Sequence, residues 1–161
     1  MKRSLFNVIK IPPIYNAEDG AIIPVLLSLA SKITYVRKPL YNYLYRKNSL
    51  SSSQNLKIVY SFCEASVFLK QHTPPLFEEE FLFRRIQIML YSVILKGLQG
   101  NMNIKELKGI VDNFKQEVPL WYCNKYLHSL PLRKKLFFKA VRYNMYSLLR
   151  LYSSLHCYLL N

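Results

Sequence analysis

The sequence predicts a mainly α fold: a helical bundle with a small two-stranded β element near the N-terminus. Three observations lead there. Four glycines among 161 residues are too few turn formers for a hairpin-rich β fold. Apolar residues recur at helical spacing through residues 54–71 and again between Pro74 and Gln99. A run of β-branched and aromatic residues between Ile33 and Tyr45 breaks that pattern and reads as strand.

Taken in order, residues 3–9 carry a short helical pattern that Pro12 and Pro13 break. Asn16 is positioned to cap the next helix, with Glu18 and Asp19 in its first turn, where free backbone N–H groups favour negative charge. That helix continues through Ala21 to Ala30, with Pro24 tolerable only near its start. Ile33–Val36 and Leu40–Tyr45 read as the two β segments, separated by Pro39, and residues 48–53 form a polar turn. Helices then follow at 54–71, from the Thr73-Pro74 cap to Gln99 before Gly100, and from the Asn103-x-x-Glu106 capping box to just before Pro119. An aromatic segment surrounds Trp121, and Pro131 opens a last helix expected to run nearly to the end. No internal repeat is present.

A chain of 161 residues with 51% hydrophobic content can bury one real core and is not a disordered polymer. Its formal charge of +14 and pI near 9.8 point to anionic partners. The charge is lopsided. After Glu117 there is no acid, yet Lys125, Arg133, Lys134, Lys135, Lys139, Arg142 and Arg150 follow. Cys63, Cys123 and Cys157 are scattered, odd in number and without Cys-x-x-Cys, so neither a disulfide framework nor a zinc site is indicated and a reducing compartment fits. Met1-Lys-Arg-Ser is not followed by a signal-type apolar run, and no stretch is apolar for the roughly 18 residues a membrane span needs. A cytoplasmic location is expected, peripheral on the inner face of the plasma membrane.

Chemistry concentrates in residues 16–53. Adjacent carboxylates at a helix start, Glu18 and Asp19, could serve as helix-dipole partners or as a general base taking the proton of an attacking hydroxyl. A paired-carboxylate glycosidase fits less well: its two acids flank the bond at roughly 5 to 10 Å. Sequence neighbours on a helix instead diverge by about 100°.

The string Asn16-Ala-Glu18-Asp19-Gly, the helix ending Ser-Leu-Ala30, the strand Ile33-Thr-Tyr-Val, then Pro39-Leu-Tyr41-Asn-Tyr43 with Arg46 and Ser49, resembles the second half of bacterial family 2 glycosyltransferases of the GT-A type. The resemblance covers residues 2 to about 53. It implies inverting transfer of a sugar from a nucleotide-sugar donor to a hydroxyl acceptor, as in the synthesis of cell-surface polysaccharide or glycolipid. Asp19 would be the catalytic base and Glu18 its orienting neighbour. Arg46 and Ser49 would lie in a loop that closes on the donor diphosphate, and the β element would be a remnant of the α/β fold. Residues 1–53 would then be the C-terminal, acceptor and base part of the catalytic domain, and residues 54–161 a helical extension. Departures exist: Leu44 stands where the family often has Arg, and Asn16-Ala17 replaces an aromatic before Glu-Asp. The family's Asp-x-Asp, which holds a divalent Mg or Mn ion, is absent, since Asp19 and Asp112 are the only aspartates. The resemblance therefore implies a chain without the donor-binding half, holding no cofactor itself and inactive alone.

The remaining residues carry less. His72, His128 and His156 lack ligand spacing, Cys123 and His128 fall on different helix faces, and Glu78–Glu80 suit a helix start. Lys135, Lys139, Arg142, Tyr146, Arg150 and Ser153 would form one stripe of the last helix, opposite Phe137, Val141, Leu148, Leu155 and Leu159. That stripe suits either a solvated bundle face or a helix lying on anionic lipid. The competing function is a non-catalytic basic helical module that binds anionic lipid or nucleic acid. No recognisable nucleic-acid motif is present, which disfavours the latter ligand.

Overall fold

Glu78, Glu79 and Glu80 place three carboxylates in the first turn of a helix, where they complement the positive end of its macrodipole. In the computed structural model, which describes residues 3–42, 44 and 55–160, this helix is the start of a long rod. α3 (Glu78–Ile86) runs into a π-helical segment (Gln87–Ser92) and on into α4 (Val93–Gln99). The rod buries Phe81, Ile86, Leu90, Val93 and Ile94 and forms the centre of the fold.

The other helices pack round it. A 3-10 turn (Arg3–Asn7) precedes α1 (Glu18–Ser28), which lies on α2 (Lys57–Gln71). α2 sets Ile58, Val59, Ala65 and Leu69 against the rod. α5 (Ile104–Glu117) adds Leu107, Val111 and Phe114. Two 3-10 turns (Trp121–Cys123 and Lys125–Ser129) lead to α6 (Leu132–Arg142) and α7 (Tyr146–Leu160), which cover the rod's remaining side with Phe137, Val141 and Leu149.

The mainly helical expectation is met, but the β element is not: residues 33–42 and 44 form no strand or bridge. A lone two-stranded element is marginal in water, and Pro39 cannot donate to a ladder. This segment instead leaves Ile33, Tyr35, Leu40 and Tyr41 exposed.

Helix ends also differ from expectation. Asn16 does not cap α1: its Oδ1 accepts from the N–H of Ala17 at 2.8 Å, and Ala17 takes the N-cap place with φ 72°. A short amide side chain bonding its own neighbour competes with capping. Thr73 closes α2 rather than opening α3, donating its hydroxyl proton to the Leu69 carbonyl at 2.7 Å. Asn103 does cap α5, accepting from Lys105 N–H at 2.9 Å. Its box partner Glu106 accepts from the Tyr60 hydroxyl instead, at 2.5 Å. The rod ends at Gln99 with Gly100 as its C-cap, as expected, and the left-handed residue is Asn101, whose φ of 54° lets Met102 N–H reach back to the Gly97 carbonyl at 2.8 Å.

The single long C-terminal helix is likewise replaced by two. Asn144 adopts φ 56°, and Met145 N–H returns to the Ala140 carbonyl at 2.9 Å. Lys115 of α5 explains the position of the break. Its Nζ donates to the Val141 carbonyl at 2.7 Å and to Asn144 Oδ1 at 2.6 Å, a cation seated on the last carbonyls of α6.

An ion pair made by a buried arginine ties three helices together. Arg85, 7% exposed, donates to Glu117 at 2.6 Å and to Ser66 Oγ at 3.3 Å, and stacks over Phe114 at 5.4 Å. Lys70 joins Glu117 at 3.0 Å. Burial alone would raise the Glu117 pKa, but the hydrogen bonds and charges of Arg85 and Lys70 outweigh it and hold this carboxyl below its ordinary 4.5.

Two outcomes are expected in urea unfolding. Leu90→Ala should cost about 2–5 kcal/mol, as for a buried side chain whose cavity cannot collapse; a cost under about 1 kcal/mol would remove the rod from the centre of the core. Glu117→Gln should cost about 2 kcal/mol at neutral pH, less than a fully buried pair because Glu117 is partly exposed. A carboxyl with a depressed folded-state pKa contributes stability that is complete above its unfolded pKa and is lost as pH falls through the folded value. The gap between wild type and E117Q should therefore shrink below about pH 4, and a gap that widens on acidification would contradict the assignment.

Candidate functional site

Glu18 and Asp19 enter α1 through the left-handed turn at Ala17, which aims the first helical turn outwards. Both residues are exposed. Asp19 Oδ1 accepts from Gly20 N–H at 2.6 Å, one of the N–H groups that no helical carbonyl can reach. Neither acid forms an ion pair among the described residues. Arg84, from the rod, lies against the same turn: a Cβ on Gly20 would stand 3.0 Å from Arg84 Nη2. The absent side chain at position 20 thus admits a guanidinium against the residue that follows the acid pair, without an ion pair to either carboxylate among the described residues. Arg84 was not expected there; the Gly after Glu-Asp was the available signal.

The other half of the proposed transferase site is not brought to this place by anything described. Arg46 and Ser49, like Tyr43, lie outside the described residues. Glu18 and Asp19 line none of three surface clefts, which sit beside Cys63 and Phe68, beside Leu26 and Ile33, and over α6. No group of three or more His, Cys, Asp or Glu among the described residues could hold a metal ion. No described helix is long and apolar enough to cross a membrane.

The C-terminal stripe survives only in α6. Ser153 is buried and Tyr146 is half-buried, its hydroxyl without a partner and its pKa raised to about 12 by burial and then by the charge of Asp112. Leu148 and Leu155, expected inside, are exposed, and Leu149 is inside in their place. The break at Asn144 rotates α7 out of the register that a continuous helix would have kept. Arg150 is exposed on α7, apart from the cleft over α6.

On α6, by contrast, Lys135, Lys139 and Arg142 converge with His128, Trp121 and Tyr122 on a cleft of about 250 Å³. The Arg142 guanidinium lies 3.7 Å above the Tyr122 ring. None of these cations pairs with a carboxylate among the described residues. The 3-10 turns that form the opposite wall are pinned by buried Asn124, which donates to the Glu79 carbonyl and carboxylate at 3.0 and 2.8 Å. Glu80 accepts from the Tyr126 hydroxyl, so these two acids do more than balance a helix dipole. His128, by sequence an ordinary surface or core histidine, and the Trp121 segment both line this cleft, a meeting with the basic helix that spacing alone does not signal.

The other singled-out groups are structural. His72 stacks on Phe68 at 4.1 Å with Nδ1 2.8 Å from the Phe68 carbonyl. His156 stacks on Tyr152. The Cys63 thiol is pushed up to about 11, chiefly by burial, and is a poor nucleophile.

Compared with models of known families, with curated proteins and with solved structures, the chain matches none.

If the acid pair serves chemistry rather than the fold, Asp19→Asn should cost no more than the roughly 0.3–1 kcal/mol of a helix-dipole contact. Thermal or urea unfolding checks this, and a markedly larger loss would make Asp19 a structural residue.

Proposed function

We propose that this chain is the acceptor and base portion of an inverting glycosyltransferase, working at an anionic membrane surface and inactive without a donor-binding half. The observation that carries this is the acid pair. Glu18 and Asp19 are solvent-facing and free of ion pairs among the described residues, with Arg84 against the following Gly20, whereas Glu117 is engaged by Arg85 and Lys70. A helix-start acid serves the dipole as well, but an exposed, unpaired carboxylate is free to meet an acceptor hydroxyl. The exposed apolar residues Ile33, Tyr35, Leu40 and Tyr41 support the same reading, because they suit a segment that joins a sheet supplied by a further polypeptide half.

In this reading Asp19 takes the proton of an acceptor hydroxyl as its oxygen attacks the anomeric carbon from the side opposite the leaving group. The bond from that carbon to the nucleotide diphosphate breaks, the diphosphate leaves with the bonding electrons, and configuration inverts. Glu18 orients the acceptor, and Arg84 balances the local negative charge. Arg46 and Ser49 would meet the donor diphosphate.

A second reading, a non-catalytic basic module for anionic ligands, draws on the acid-free cleft over α6 and on the exposed leucines of α7.

The test joins this chain to a family donor half that carries Asp-x-Asp and measures nucleotide-sugar binding and transfer. Metal-dependent donor binding should return, and Asp19→Asn should lower transfer by about 10²-fold or more. Sugar release by the isolated chain, or full activity in D19N, would overturn the proposal.

A further inference from the structure

The cleft between α6 and the Trp121–Ser129 turns has a composition that the fold itself does not require. Lys135, Lys139 and Arg142 recur at spacings of four and three, so one face of α6 delivers all three side chains to the same wall. No acid lines the cleft. The nearest acids on packed elements are engaged: Glu79 with Asn124, and Glu80 with Tyr126 and, at 4.0 Å, Lys125. Concentrating like charges without a counter-ion costs stability, and a bound anion removes that cost.

The geometry selects the anion. The Arg142 guanidinium carbon sits 3.7 Å from the Tyr122 ring centroid and has no carboxylate partner among the described residues, and a guanidinium can fork two N–H groups onto two oxygens. Buried Trp121 and Phe138 make an apolar floor. At about 250 Å³ the cleft falls below the roughly 300–1,000 Å³ of sites for drug-sized ligands. It has room for a phosphate or diphosphate group but not for a whole nucleotide sugar. On the same helix, Leu132 and Leu136 are exposed, and on α7 so are Leu148, Leu151 and Leu155. This apolar surface suits a phosphate ester that carries an aliphatic chain.

We propose that this cleft is a phosphate-binding site, in which Lys135, Lys139 and the stacked Arg142 hold the phosphate oxygens of a phosphate ester or diphosphate. It stands apart from the transferase reading: binding here together with a failed transfer assay would leave the cleft and remove the catalytic proposal.

Trp121 is the sole tryptophan of the chain and lies in the cleft wall, so its fluorescence reports occupancy. The full chain is titrated with inorganic pyrophosphate and, separately, with phosphatidylcholine vesicles with and without phosphatidic acid. Saturable change is expected with pyrophosphate, with phosphatidic acid vesicles, or with both. The first identifies a free phosphate ligand, the vesicle response alone a lipid headgroup, and either upholds the site. Lys139→Ala/Arg142→Ala should weaken binding by about tenfold or more. Lys135→Ala/Lys139→Ala, which leaves the Tyr122 stack intact, should do the same without disturbing the fold. Lys32→Ala/Lys38→Ala removes equal charge elsewhere and should leave binding unchanged. No saturable response to either probe, or equal losses in all three double variants, would overturn the proposal.

Discussion

Arg85 carries a guanidinium into the interior, and the helices are arranged so that it never lacks a partner. It issues from the last turn of α3, meets Glu117 at the end of α5, touches Ser66 in the middle of α2 and lies over the Phe114 ring. An isolated buried cation is prohibitively costly, so the fold is viable only where all three helices arrive together. The apolar contacts of Leu90, Ile94, Leu107 and Val111 provide most of the cohesion but little direction. The ion pair supplies the direction, fixing how α2 and α5 sit on the rod.

Where side chains bond locally, the sequence was a good guide; where distant residues compete, it was not. The helices from α2 to α5 follow from apolar spacing and from caps such as Asn103, because those signals act within a few residues. The failures share a cause. Asn144, a residue that tolerates the left-handed conformation, ends α6, and Lys115, some thirty positions earlier, holds that end by bonding Val141 and Asn144, a contact that local spacing does not announce. The strand expectation at Ile33–Tyr45 rested on intrinsic preference, but a strand also needs a neighbour, and none of the described residues provides one. At the candidate site, the position and exposure of Glu18 and Asp19 were legible because helix starts collect acids. Arg84 was not, since it reaches the pair only through packing of the rod. His128 and Trp121 were missed as members of a cationic cleft for the same reason.

The break at Asn144 also changes what the basic C-terminal region can do. A continuous helix would have spread its cations along one long edge, suited to diffuse attraction. The observed pair of helices gathers three of them over aromatic rings, while α7 turns leucines outward. Cations and exposed leucines therefore lie close together on α6, and α7 adds further exposed leucines.

The π-helical segment has a consequence for how the gene could vary. By widening the turn, it shifts the faces of α3 relative to those of α4, so one rod meets the Lys125–Ser129 turn at its α3 end and α5 and α7 at its α4 end, while α2 runs along its whole length. The π turn holds about one residue more than an α turn, so loss of a single codon between positions 87 and 92 can be absorbed by a return to α-helical geometry, whereas an added codon would swing everything downstream by about 100°. Length there should therefore be guarded against gain more strictly than against loss, and an apolar exchange at Ile88 or Met89 would be absorbed.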